Sequence, residues 1–126
     1  HSCLSENDIC LKASFLLEKG NPVEIRERMQ DFQRRREEKQ PLDMPSAGST
    51  FKRPEGDYAS RLIEVSGLRG FTMGRAAVSE KHCGFVVNLG GAEAKEIYRL
   101  IREVIRIVEE KQGVRLETEV KLWGKF

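Results

Sequence analysis

Cysteine is scarce in this 126-residue chain and its pattern pairs nothing: Cys3, Cys10 and Cys83 show no C-x-x-C spacing and, being three, cannot all pair with one another. That argues against a disulfide framework or a zinc site and predicts reduced thiols, packed or half exposed. A surplus of either charge is missing too. Lys and Arg number 22 against 20 Asp and Glu, a net charge of +2, and a nucleic-acid backbone calls for clustered excess positive charge. No apolar run approaches the roughly 18 to 20 residues that span a bilayer, and the first residues lack the basic, apolar, small-residue order of a secretory signal. These absences predict a cytoplasmic protein with neither nucleic acid nor membrane as partner. G-x-G-x-x-G, the P-loop, H-E-x-x-H and metal-ligand spacings are missing as well, so neither a metal nor a dinucleotide fingerprint is expected.

What remains is the composition of one globular domain, 39% hydrophobic and 33% charged, with chain enough for one core and too little for two. The sequence begins at His1 and not at a methionine, which suggests a processed, tagged or truncated piece. Ile9, Leu11, Ala13, Phe15 and Leu17 alternate with Cys10, Lys12, Ser14 and Glu18, broken by Leu16. Period-two alternation of this length predicts a strand with one buried face. Asn21, Pro22 and Glu24 then suit the N-cap, N1 and N3 positions of a helix carrying Ile25, Met29 and Phe32 on one side and running to about Glu38.

From 40 to 56 the pattern dissolves into prolines, glycine and hydroxyl residues, a loop with at most a short strand around Thr50 and Phe51. A short helix follows, capped by Asp57, lined by Ala59, Leu62 and Ile63 and stopped at Gly67. A Gly-rich stretch then leads to a buried strand at Phe85, Val86 and Val87. The clearest helix covers 92–111, with Ile97, Leu100, Ile101, Val104, Ile105 and Val108 at spacings of three and four. A final strand sets Val114, Leu116, Thr118, Val120 and Leu122 on one face. Arg115, Glu117, Glu119, Lys121 and Trp123 take the other, and a large aromatic among charges suggests that something covers that face. Strands and helices mix without regular crossovers, which predicts an α+β fold: a small mixed or antiparallel sheet packed with helices.

Gly48, Ser49 and Thr50, followed by Lys52 and Arg53, put hydroxyls, backbone N–H groups and two cations on one loop, a combination suited to an anion such as a diphosphate. An ordinary surface turn followed by basic residues has the same pattern. Ser49 lacks the G-x-S-x-G setting of a hydrolase nucleophile, so its chemistry would be proton donation. His82 closes the polar run of Ser79, Glu80 and Lys81, a setting more often that of an ordinary surface or hydrogen-bonded histidine. Arg69 and Arg75 lie close enough in sequence to serve the same anion. Glu117 and Glu119 share their face with Arg115 and Lys121, as salt-bridged decoration does. Residue pattern alone stops at an α+β domain with a candidate anion site.

The stretches in order carry more. Lys39, Gln40 and Pro41 precede Pro45, Ser46, Ala47, Gly48 and Ser49, then Phe51, Lys52, Arg53 and Pro54. Leu62, Ile63, Gly67, Leu68, Gly70 and Gly74 follow, then Val78, Ser79, Glu80, Lys81, His82, Phe85 and Asn88. Gly113, Leu116, Glu117, Glu119, Val120 and Gly124 complete the series. This ordered set resembles the C-terminal region of the UDP-N-acetylenolpyruvoylglucosamine reductase (MurB) family and covers nearly the whole chain. The resemblance implies residues 1–20 as the tail of a FAD-binding region and 21–126 as a substrate-binding domain. It implies an FAD-dependent, NADPH-consuming oxidoreductase of peptidoglycan synthesis that reduces UDP-N-acetylglucosamine-enolpyruvate to UDP-N-acetylmuramate. Ser49 matches the family's proton donor and Glu119 the carboxylate that stabilises the enol-like intermediate. Lys39, Arg53 and His82 match positions that touch the uridine diphosphate, although some members carry asparagine in place of Arg53 and glutamine in place of His82. The family's Tyr-Arg pair ahead of this stretch is not in the sequence. Without the FAD-binding region the chain is expected to hold neither FAD nor NADPH and not to turn over. The alternative is a stand-alone module, non-catalytic, that binds a phosphate, a nucleotide or a protein.

Overall fold

A computed structural model describes residue 5 and residues 7–124. It divides into two compact units, His1–Phe32 and Gln33–Phe126. In the first unit, the strand expected over 9–17 does not form. No ladder hydrogen bonds join these residues to the other described ones, and the apolar side is open, with Ile9 83% and Phe15 83% exposed. Alternation encodes a face but not the partner strand that a strand's amides require. The helix does form, as α1 (Pro22–Lys39). Asn21 caps it, its Oδ1 accepting from the Val23 amide at 2.9 Å while its Nδ2 donates to Glu24 at 3.2 Å. Its apolar stripe of Ile25, Met29 and Phe32 stays exposed.

The second unit holds a four-stranded antiparallel sheet: β1 (Ser46–Ser49), β2 (Thr72–Met73), β3 (Ala76–Val78) and β4 (Phe85–Asn88), in the order β1-β4-β3-β2. Ala76, Val78 and Val86 turn one face toward α2 (Ala59–Val65) and α3 (Ala94–Gln112). Leu62 and Ile63 of α2 meet Leu100, Ile101, Val104 and Val108 of α3 there, and Phe51 and Leu116 complete the core. The 19-residue α3 follows its apolar period closely because burial of that stripe, not propensity, makes such a helix stable. A capping box between Glu93 and Glu96 starts it, and Gly113 ends it at φ 69°. The expected α+β class is what forms.

Three local differences from expectation have simple causes. β2 and β3 lie inside the stretch read as Gly-rich loop; strands of two and three residues are too short to display a period, and Gly74, at φ 60°, makes their turn. Asp57 stands one residue ahead of the α2 cap position, and its carboxylate takes the Tyr58 amide at 2.7 Å. The last segment, 114–122, keeps the expected alternation down to Val120, but its strand shrinks to one bridge between Phe51 and Thr118. Trp123, read as a residue that something such as another domain covers, is 84% exposed within this chain alone. Cys10 is exposed, Cys83 is buried, and Cys3 lies outside the described residues. No described helix is long and apolar enough to cross a membrane.

Candidate functional site

The segment 49–53 runs between two neighbours. On one side the Thr50 amide donates to the Gly84 carbonyl at 2.8 Å, and Thr50 Oγ1 accepts from the Val86 amide at 3.0 Å. On the other, the Lys52 amide donates to Glu117 O and the Glu119 amide to Thr50 O, each at 2.9 Å. Extended backbone alternates its side chains. Lys52 accordingly meets Glu117, Nζ to Oε2 at 2.9 Å, while Ser49, Phe51 and Arg53 line a hollow of about 220 Å³. Tyr58, Ala59, Ser60, His82 and Gly84 close its other walls.

Three groups bring donors to that hollow. Ser49 Oγ makes a long hydrogen bond of 3.4 Å to the Phe51 carbonyl, which a better acceptor can displace. His82 Nδ1 accepts from the Gly84 amide at 3.1 Å, so the neutral ring carries its proton on Nε2. Phe85 holds that ring edge to face at 5.0 Å. The backbone of His82 is fixed by the hydroxyl of buried Ser79, which accepts the Lys81 and His82 amides at 3.2 Å each. Arg53 Nε donates to the Asp57 carbonyl at 3.3 Å, and its guanidinium lies 4.1 Å from the centre of the Tyr58 ring.

Two expected contributions differ. The amides of Gly48, Thr50 and Lys52 are spent within the chain and form no anion-binding nest. Hydrogen bonding to Glu117 raises the Lys52 pKa and directs its charge away from the hollow. Arg69 is paired with Glu64 at 2.7 Å and with the Glu80 carbonyl, and neither it nor Arg75 lines the hollow. Lys39, exposed in the last turn of α1, and Glu119, exposed opposite Thr50, do not line it either. The fold therefore gathers Ser49, Arg53 and His82 and leaves Glu119 on the adjacent segment.

Comparison with known proteins decides the family. Residues 40–123 match the family model described as UDP-N-acetylenolpyruvoylglucosamine reductase, C-terminal domain. The chain belongs to this family. It is 56% identical over 115 residues to the UDP-N-acetylenolpyruvoylglucosamine reductase of Lachnoclostridium phytofermentans, covering 91% of this chain and 37% of that protein. Identity to the Caldanaerobacter subterraneus reductase is 50% over 126 residues, covering 99% and 42%. The crystal structure of the Thermus caldophilus enzyme shares the fold at a TM-score of 0.68 and 39% identity, over 85% of this chain and 37% of that one. The chain thus spans about two-fifths of the length of the reductases it matches.

Within this MurB-family domain, sequence reasoning missed Tyr58 and Ser60 as walls of the hollow. The signal was an arginine and a tyrosine separated by Pro54 and Gly56, a turn that folds one onto the other. Asp57 anchors that turn. Its hydrogen bond from Arg61, helped by the Tyr58 amide, holds its pKa down from 3.8 to about 2. A carboxylate depressed by folding stabilises the fold above its ordinary pKa and loses that contribution as pH falls through the folded value. Thermal melts should accordingly show Asp57→Asn less stable than the wild type at neutral pH. The gap should narrow as pH falls from 3.8 through about 2. A gap that does not change with pH would show that the carboxylate's charge is not what matters.

Proposed function

We propose that this chain is the substrate-binding part of a UDP-N-acetylmuramate-forming reductase of peptidoglycan synthesis, working in the cytoplasm. The supporting observation is that Ser49, Arg53 and His82, from separate stretches of sequence, line one hollow. A volume of about 220 Å³ is below the roughly 300–1,000 Å³ of pockets that enclose a whole drug-sized ligand. The hollow thus takes only part of UDP-N-acetylglucosamine-enolpyruvate, the facing edges of its diphosphate and enolpyruvyl groups, and Lys39 and Glu119 act from outside it. Arg53 and the Nε2–H of His82 donate to diphosphate oxygens. Ser49 gives its proton to the carbon alpha to the substrate carboxylate, and the Arg53 cation eases the charge left on its oxygen. Glu119 steadies the enol-like intermediate.

The described residues do not fit a flavin. A dinucleotide diphosphate is commonly held by free amides at a helix N-terminus. Here Asn21 engages the Val23 amide of α1 and the capping box of Glu93 and Glu96 closes α3, while the start of α2, which no side chain caps, opens on the hollow of about 220 Å³, too small for a dinucleotide. In this proposal FAD, with NADPH as its reductant, belongs to the part of the longer relatives that this chain does not span. Residues 9–17 would find their strand partners there, in keeping with 1–20 as the tail of the flavin region and 21–126 as the substrate domain. The matched relatives are named as reductases and not as binding modules, which favours the enzyme reading.

Calorimetric titration of this chain with UDP tests the anion site. Arg53→Ala removes a charge-assisted contact of about 1.5–3 kcal/mol and should weaken UDP roughly 10- to 100-fold. Equal UDP affinity in Arg53→Ala and the wild type would place the diphosphate elsewhere.

A further inference from the structure

Arg53 is a long side chain on an exposed loop, and by itself it would sample many rotamers and present its fork in none of them reliably. The structure gives it two holds. The Tyr58 ring sits 4.1 Å from its Cζ, and its Nε is committed to the Asp57 carbonyl at 3.3 Å. These act on different parts of the group. The ring engages the guanidinium plane by cation–π attraction, and the carbonyl occupies the Nε–H. What stays available is the edge bearing Nη1 and Nη2, whose parallel N–H bonds match two oxygens of one tetrahedral anion.

The clamp is itself anchored. Asp57 and Tyr58 are consecutive, just ahead of α2; the Asp57 carboxylate bonds the Tyr58 amide at 2.7 Å and Arg61 Nε at 2.7 Å. Gly56, at φ 73°, allows the chain to double back so that Asp57 and Tyr58 return onto Arg53. The turn thus serves the arginine as well as the helix start.

Building on the anion-site reading above, we infer that Tyr58 is a positioning residue, stacked on Arg53 so that its Nη edge is preset for a phosphate group in the hollow shared with Ser49 and His82. A tyrosine that acts this way contributes through its ring. Its hydroxyl is dispensable, and its effect disappears once Arg53 is gone.

The test uses UDP as probe on this chain, comparing Tyr58→Phe, Tyr58→Leu, Arg53→Ala and the double variant of Tyr58→Leu with Arg53→Ala. NMR of the Arg53 Nε–H gives a second readout that needs no ligand. The expected results are UDP affinity within about twofold of wild type for Tyr58→Phe and a roughly three- to tenfold loss for Tyr58→Leu. Tyr58→Leu should cause no further loss in the Arg53→Ala background. The Arg53 Nε–H signal should be retained in Tyr58→Phe and lost to solvent exchange in Tyr58→Leu. An unchanged signal in Tyr58→Leu, or an equal loss of affinity with and without Arg53, overturns the positioning role while leaving the anion site standing. If instead Arg53→Ala leaves UDP affinity unchanged, the anion-site reading falls and takes this role with it.

Discussion

Ser49→Ala, in a reductase that joins these residues to a flavin-binding region, should slow reduction of the enolpyruvyl substrate by roughly 10²- to 10⁴-fold, the usual range for loss of a general acid. NADPH consumption in the first half-reaction should keep its rate, because the role proposed for Ser49 falls in the second. The hydroxyl holds its proton in a bond of 3.4 Å to the Phe51 carbonyl, weak enough to be exchanged for the reacting carbon. Alanine leaves the walls of the hollow in place, with Arg53, His82 and Tyr58 where they were. The loss should therefore fall on kcat, with KM nearly constant, the pattern of an interaction made only in the transition state. Arg53→Ala should do the reverse, raising KM more than it lowers kcat. Stopped-flow separation of the two half-reactions checks both, and substrate reduction at full rate in Ser49→Ala would remove Ser49 from the chemistry.

How much of this was legible in the sequence depended on where each signal was stored. α3 was readable because its stripe, from Ile97 to Val108, is long and its caps are local. The buried alternation of Leu116 with its neighbours was readable too, but its pairing was not, since pairing needs Phe51, the Thr50 carbonyl and the Lys52 amide, far away in sequence. The same limit explains residues 9–17, where a face was written without a partner. In the site, residue types pointed to Ser49, Arg53 and His82, yet the pattern also promised Lys52 and the loop amides. Those failed for one reason: the segment 49–53 is bonded on both sides, and alternation sends Lys52 to Glu117. A loop judged by its composition can be extended backbone in fact, and its donors are then spent.

The hollow exists only while the core beneath it holds, and Leu100 tests that dependence. Leu100 is fully buried in α3, in the same core cluster as Leu62, Ile63, Ala76, Val78 and Val86. Leu100→Ala leaves a cavity that these short elements cannot close, because α2 has only seven residues and the sheet's strands two to four. The expected cost is about 2–5 kcal/mol, against a total of roughly 5–15 kcal/mol for a domain of ordinary stability. At roughly 4–8 °C per kcal/mol for a unit of this size, the melting temperature should fall by roughly 8–40 °C. Arg102→Ala on the exposed side of the same helix should stay within about 0.5 kcal/mol. Urea unfolding of both variants, with unchanged m-values, gives the comparison. UDP affinity per folded molecule should be preserved in Leu100→Ala below its transition, because the residues lining the hollow are untouched. Should Leu100→Ala prove as mild as Arg102→Ala, the core does not rest on α3 and the packing described for this domain is wrong.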